Sequence, residues 1–299
     1  MSCVVAVVVT YEPNESCLLQ LLDSLREQVA YVVVVDNGSV KDVRSVLCQR
    51  LGAQLAFVAL DENLGIAAAQ NRGIQWARQV VATHVILFDH DSRPASDMVA
   101  KLLDCERFLN SSGRRVASIG PRYLDERQDN PPPFIRVRGR KLTRCLSPDI
   151  GDAVSVDYLI ASGCLIPMDV LNVVGGMADE LFIDCVDIEW GQRARSKGLE
   201  NFGCFSAAMA HSLGDEPIRF LGTAYPVRSP LRHYYMFRNA VLLYQMKHIP
   251  TAWKWVDGGR CILRFGFYAL LAKPRLQHIR MMLLGISDGL QGRSGKLIS

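Results

Sequence analysis

Residues 84–94 read His-Val-Ile-Leu-Phe-Asp-His-Asp-Ser-Arg-Pro. An apolar run ends abruptly in Asp89 and Asp91, two carboxylates one residue apart. Such a run reads as a buried strand whose carboxyl end emerges into a polar crevice. Side chains two apart on a strand point the same way, so both acids can reach one ligand. Two like charges at that spacing cost energy unless a cation or a hydrogen-bond donor offsets them. A divalent cation holding phosphate oxygens is a natural partner, because Mg²⁺ is usually bound by one or two carboxylates together with substrate phosphates. A strand followed by a solvated polar turn would carry the same letters, so the motif needs support from the rest of the chain.

That support comes from the elements around it. Residues 4–9, 31–35, 55–60 and 85–88 are apolar runs rich in valine, as expected of strands buried on both faces. Between them lie helical patterns. One is marked by Leu18, Leu21, Leu22 and Leu25, one reaches about residue 51, and an alanine-rich one covers 65–82. The order β-α-β-α-β-α-β predicts an α/β fold, a mostly parallel, Rossmann-like sheet flanked by helices. Ligands in such folds bind beyond the carboxyl ends of the strands. Each strand here ends in a polar cluster: Thr10 and Tyr11, then Asp36, Asn37 and Ser39, then Asp61 to Asn63, then Asp89 and Asp91.

Downstream, the patterns predict a helix at 95–110, a strand at 116–120 and a polar loop or edge hairpin at 122–152. A strand pair or strand-turn follows at 156–167, then a short helix at 170–174. Asp184 and Asp187 precede or open a helix at 187–197 that Gly198 closes. A last strand at 202–210 ends in His211. From residue 229 the chain changes character: segments 231–246, 253–272 and 276–284 are apolar and aromatic, interleaved with Lys and Arg. Two or three amphipathic helices are expected, broken near Pro250 and Pro274. The expected division is an α/β domain over 1–228 and a helical extension over 229–299.

Composition narrows the class. The chain has 299 residues, 49% of them apolar and 21% charged, as in an ordinary globular protein. A net charge of +4 demands no nucleic-acid partner. The basic bias of the C-terminal part suits an anionic membrane surface. Nine cysteines, an odd number without a CxxC pair, argue for reduced thiols in the cytosol and against a disulfide framework or zinc site. No secretory leader is recognisable, and the C-terminal apolar stretches fall short of the roughly 20 residues of a spanning helix.

Five ordered motifs then carry a resemblance. Val-Val-Thr-Tyr at 8–11, Val-Val-Asp-Asn-Gly-Ser at 34–39 and Asn-Leu-Gly-Ile-Ala-Ala-Ala-Gln-Asn-Arg-Gly at 63–73 resemble the family 2 glycosyltransferases of GT-A fold. So do Phe-Asp-His-Asp-Ser at 88–92 and Asp-Cys-Val-Asp-Ile-Glu-Trp at 184–190. Within that family, the last two resemble bacterial dTDP-rhamnosyltransferases of cell-surface polysaccharide assembly. The likeness covers about residues 3–240, with a looser match at His-Tyr-Tyr-Met-Phe-Arg-Asn, 233–239.

The resemblance implies roles. Asp36 would accept a hydrogen bond from the nucleobase imide, with Thr10, Tyr11 and Asn37 lining the same pocket; Asp36 as a helix N-cap is the plainer alternative. Asn63, Gly65 and Asn71 would lie near the nucleotide sugar, or simply pack a glycine-started helix. Asp89 would touch ribose or metal-bound water, and Asp91 would coordinate Mg²⁺ or Mn²⁺, with His211 as a further ligand or an ordinary loop histidine. An inverting transfer needs one carboxylate to take the acceptor's proton. Cys185 stands where the family usually has an acid, which leaves Asp184 or Asp187. Asp184 is favoured because it precedes the helix, whereas Asp187 could serve as that helix's first-turn acid.

The function this predicts is metal-dependent transfer of L-rhamnose from a dTDP-sugar donor to a lipopolysaccharide core, O-antigen or lipid-linked glycan. The expected location is cytoplasmic, peripheral on the inner face of the bacterial plasma membrane. Two alternatives stay open: another donor such as a UDP-hexose, or a nucleotide-sugar-binding scaffold without catalysis.

Overall fold

The computed structural model describes residues 2–47, 52–124, 134–210, 217–220, 223–226 and 228–297. Its first half alternates β1 (Val4–Thr10), α1 (Glu15–Leu25), β2 (Tyr31–Asp36), α2 (Val43–Leu47), β3 (Leu55–Ala59), α3 (Ile66–Gln79) and β4 (His84–Asp89). Valine and other β-branched residues suit a pleated surface covered on both sides. All seven residues of β1 are buried, and their period of two divides them between two cores. Val5, Val7 and Val9 face Ala67, Ala69, Ile74 and Ala77 of α3. Val4, Ala6 and Val8 face Leu18, Leu21, Leu22 and Leu25 of α1. Asn14 caps α1 by accepting from the Cys17 N–H at 3.2 Å.

The next stretch holds β5 (Arg93–Pro94), α4 (Met98–Ser111), β6 (Val116–Leu124), β7 (Phe134–Arg138), β8 (Lys141–Cys145), β9 (Ala153–Val156) and β10 (Leu165–Pro167). Then come α5 (Met168–Val174), α6 (Val186–Ser196), β11 (Glu200–Ala210), β12 (Pro217–Phe220) and β13 (Thr223–Pro226). The main sheet runs β3-β2-β1-β4-β10-β6-β11-β5, with β9 also on β11. Strands β1 to β4 are parallel, and β10 is inserted antiparallel between β4 and β6. The edge hairpin expected in 122–152 is β7–β8. Two-residue β5 pairs Arg93 with Ala210 and Pro94 with Met209. It thereby pins the segment after Asp91 against the end of β11.

The chain closes with α7 (Pro230–Gln245), α8 (Thr251–Leu271) and α9 (Arg275–Leu290). Ser229 caps α7 and Pro230 occupies its first turn. Leu242 and Leu243 of α7 belong to the same apolar cluster as Val5, Val7 and Val9, so this helix completes the sheet's core. Helix α9 lies against α7 so closely that a Cβ on Gly285 would stand 2.4 Å from the Tyr234 carbonyl oxygen. Helix α8 is different. Of its 21 residues only Trp253 and Tyr268 are buried, and Trp255, Ile262, Leu263 and Leu270 are exposed.

Candidate active site

The carboxyl ends of β1 and β2 meet at Thr10 and Asp36, which are paired in register. The Thr10 hydroxyl donates to Asp36 Oδ1 at 2.8 Å. The Ser39 hydroxyl donates to the same oxygen at 2.6 Å, and the Ser39 N–H to Oδ2 at 3.0 Å. Asp36 is buried and closes the turn after its own strand. Tyr11 stands beside this turn, exposed. Asn37 ties the turn to the next strand end: its amide N–H₂ donates to Asn63 Oδ1 at 3.1 Å and its oxygen accepts from the Leu64 N–H at 2.9 Å. Thr10, Asp36, Asn37 and Asn63 thus form one continuous polar rim.

Gly65 and Asn71 sit where expected along the chain, but their partners are protein. Gly65 has φ +92° and a Cβ there would lie 2.4 Å from the Phe182 carbonyl oxygen. The same oxygen accepts from the Ile66 N–H at 2.7 Å. Asn71 donates to the Met177 carbonyl at 2.9 Å and to Asp179 Oδ1 at 2.6 Å, and accepts from the Met177 N–H at 2.8 Å. Both residues therefore seat the 177–185 segment against the start of α3.

Asp89 ends β4, with Asp91 in the turn that follows. Buried hydroxyls shape this turn: Ser92 and Ser162 share a 2.6 Å hydrogen bond, and Ser162 Oγ accepts from the Asp89 N–H at 3.2 Å. Tyr123 donates to the Ser162 carbonyl at 2.6 Å. Ser162 lies 70 residues beyond Ser92 and carries no motif of its own.

The 182–187 segment supplies the opposite wall. Phe182, Asp184 and Cys185 all have φ between +62° and +66°, which side chains adopt at a cost. The segment is held by α7. Asn239 donates to the carbonyls of Leu181, Ile183 and Asp184 at 2.8, 2.7 and 2.9 Å. Tyr235 stacks on Phe182, with ring centroids 4.9 Å apart. The loosely matched 233–239 motif is therefore the frame of this loop.

Asp184 and Asp187 differ sharply in surroundings. Arg232 grips both oxygens of Asp184 at 2.9 and 2.8 Å, and Arg228 donates to Oδ1 as well. Asp187, on the first turn of α6, is half-buried and accepts from its neighbour's N–H, that of Ile188, at 2.8 Å. Burial, then the charges of Asp184 and Asp89, push its carboxyl up to about 6, against the pull of that N–H. Asp89 and Asp187, from opposite walls, are close enough to feel each other. Burial also holds the Cys185 thiol well above its usual range, so it stays neutral. Glu189 and Trp190 turn inward. Glu189 forms a two-pronged pair with Arg193, and Trp190 fills the core while its Nε1–H donates to the Gly175 carbonyl.

His211 lies outside the described residues. Among the described residues, no group of three or more His, Cys, Asp or Glu forms a metal cage. Two carboxylates at a strand end suit a hard cation that takes its remaining ligands from phosphate and water.

With this geometry, comparison with known proteins is decisive on family. The profile of glycosyl transferase family 2 matches residues 5–156. The chain is 30% identical to dTDP-rhamnosyl transferase RfbF of Shigella flexneri, over 97% of this chain and 96% of that protein. The chain belongs to glycosyl transferase family 2. It is a glycosyltransferase, and its fold is the GT-A arrangement expected above. It is also 22% identical to the low-salt glycan biosynthesis hexosyltransferase Agl10 of Haloferax volcanii, over 97% of this chain and 92% of that one. Among solved structures it superposes on GalNAc-T7 with UDP, GalNAc and Mn²⁺ (TM-score 0.64, 13% identity), covering 97% of this chain and 56% of that one. It also superposes on S. aureus TarS 1–349 with UDP-GlcNAc (TM-score 0.58, 17% identity), covering 97% and 81%. At these identities the two structures speak for fold alone.

Proposed function

We propose that the protein transfers L-rhamnose from dTDP-β-L-rhamnose, with inversion, to a lipopolysaccharide core, O-antigen or lipid-linked glycan. The observation that carries the donor is the 30% identity to a dTDP-rhamnosyl transferase over nearly the whole of both chains. Residues 1–228 hold the donor and the chemistry, and 229–299 frame the site.

The base pocket is the rim of Thr10, Tyr11, Asp36 and Asn37. Asp36 keeps its carboxylate aimed at this rim through Thr10 and Ser39. Asp91, with Asp89 beside it and with His211, which follows β11 in the sequence, would hold Mg²⁺ or Mn²⁺. When bound, the cation supplies positive charge against the donor diphosphate.

Asp187 is the base in this reading. A base must be free to turn to the acceptor hydroxyl, and Arg228 and Arg232 engage both oxygens of Asp184 and fix its orientation. Asp187 has an affinity for protons near that of the working pH, which is where general-base efficiency peaks. It removes the acceptor's hydroxyl proton as that oxygen attacks the anomeric carbon. The bond to the dTDP oxygen breaks on the opposite face, giving an α-L-rhamnosyl product. Arg228 and Arg232 hold Asp184, and with it the loop that carries Asp187.

The exposed apolar residues of α8, together with Lys254, Lys273 and Arg275, suit a helix lying in an anionic membrane interface. No helix among the described residues is long and apolar enough to cross a membrane. Parallel turnover of dTDP-rhamnose, UDP-glucose and UDP-GlcNAc, with and without Mg²⁺ or Mn²⁺, tests the donor. Preference for a UDP-sugar, or turnover unaffected by chelator, would overturn the corresponding part.

A further inference from the structure

A cavity of ≈ 70 Å³ opens between α8, the β7–β8 hairpin and the start of α6. That is space for several water molecules. Cys185 and Ile188, which flank Asp187 in the chain, are part of its wall. Tyr158 lines it too, and the charges of both Asp187 and Arg260 reach that phenol. The cavity therefore adjoins the segment that carries the proposed base. Its other walls combine buried Trp253 with Asp257, Arg260 and Arg264 of α8.

The three charges are unequally matched. Asp257 accepts from the Tyr244 hydroxyl at 2.8 Å and lies 3.8 Å from Arg264. No hydrogen bond or ion pair among the described residues engages the Arg260 guanidinium. A guanidinium facing a partly apolar cavity with its donors unspent suits phosphate or carboxylate, whose oxygens match its fork. Val256 connects this cavity to a shallower depression formed with Arg140 and exposed Trp255. The exposed apolar face of α8 begins there.

We propose that this cavity is part of the acceptor subsite, and that it takes the anionic group of a saccharide acceptor, phosphate or carboxylate, against Arg260. The assignment rests on Asp187 as the base. The anionic group sits on Arg260 inside the cavity, and the ring carrying the reacting hydroxyl lies outside it, toward Asp187. An apolar tail, where there is one, leaves past Val256 and Trp255.

The full-length protein and its Arg260→Gln and Arg260→Lys variants test this. Tryptophan fluorescence reports binding of two probes without donor: farnesyl diphosphate, a lipid phosphate, and digalacturonate, a sugar carboxylate. The expected result is that one probe binds wild type and Arg260→Lys, and binds Arg260→Gln about tenfold or more weakly. Farnesyl diphosphate would place the anion on a lipid phosphate, and digalacturonate on a sugar acid. Binding of neither, or equal binding to Arg260→Gln, overturns the proposal whatever the donor is. A second arm follows transfer from dTDP-rhamnose to membranes of a strain lacking this gene. Arg260→Gln should raise the acceptor KM there and leave dTDP affinity and slow donor hydrolysis unchanged. If hydrolysis falls in parallel, Arg260 is a folding residue and the proposal fails. Absence of wild-type hydrolysis would instead count against the donor reading.

Discussion

Arg232 holds Asp184 through both carboxylate oxygens, Nε to Oδ2 at 2.9 Å and Nη2 to Oδ1 at 2.8 Å. In the proposed mechanism this pairing makes Asp184 a member of a charged frame and leaves the proton transfer to Asp187. Asp187→Asn should therefore lower kcat by about 10²- to 10⁴-fold with the donor KM little changed. Asp184→Asn and Arg232→Gln should each cost less, and the double variant should be no worse than the poorer single one, because both break the same contact. Steady-state kinetics of the four proteins decide it. A larger loss of kcat in Asp184→Asn than in Asp187→Asn would move the base to Asp184.

The raised carboxyl of Asp187 has a kinetic signature. A base works only when deprotonated, so kcat/KM should climb with pH and level off above a midpoint near 6. Weakening the negative neighbour through Asp89→Asn should shift that midpoint down while impairing donor binding separately. A pH-rate profile without a limb between pH 5 and 7 would remove Asp187 from the role.

Stability should respond to pH through two opposed groups. His233 is buried, shares a 2.9 Å contact with His278, and has its imidazole pushed down to about 4, by burial first and then by the charges of His278 and Arg228. Unfolded, it titrates near 6.5, so between 6.5 and 4 the unfolded chain holds the extra proton and stability is lost as pH falls. Asp187 behaves in reverse. Its ordinary value is 3.8 and its folded value about 6, so the folded chain holds the extra proton and stability is lost as pH rises between them. Each effect is on the order of 3 kcal/mol, and they largely mask each other in the wild type. His233→Gln should unmask a decline in stability from pH 4 to 6, and Asp187→Asn a rise. Urea melts across that range measure both slopes.

Gly65→Ala should injure the acceptor side through a contact on the donor side. The new methyl would meet the Phe182 carbonyl oxygen at 2.4 Å, in a backbone conformation of φ +92° that alanine resists. Destabilisation of about 2–4 kcal/mol is expected. Because the oxygen belongs to the segment that leads to the proposed base, kcat should fall more than dTDP affinity does. Thermal melts and dTDP titration check the two parts. An unchanged melt would mean that the 177–185 segment yields freely.

The valine strands and their polar ends were legible because a strand buried on both faces is a continuous apolar run with an abrupt polar stop. Asp36, Asp89 and Asp91 could be found from that alone. The short strands were not legible. Residues 93–94 become β5 only because β11 offers them a partner more than a hundred residues away, and 165–167 become β10 by filling a slot between β4 and β6. The surroundings of Asp184 were equally hidden. A carboxylate before a helix looks open to solvent in sequence, while Arg228 and Arg232 arrive from 44 and 48 residues downstream. Gly65 and Asn71 mark a tight approach, but only the structure shows the approaching group to be the protein's own 177–182 segment. Arg228 and Arg232 carried one available signal, two cations four apart at the start of a helix next to an already recognised motif.

Asn239, one side chain on α7, satisfies three carbonyls of a loop that precedes it by more than fifty residues. That places a clock on the ribosome. The sheet and its nucleotide rim can assemble from the first part of the chain as it emerges, since domains tend to fold in the order they are made. The 181–184 turn, however, lacks its donors until α7 has been synthesised and has docked. A nascent chain would thus hold a formed donor cradle before it has a properly shaped proton acceptor. Catalytic competence arrives late in synthesis, with the segment that also carries the three C-terminal helices.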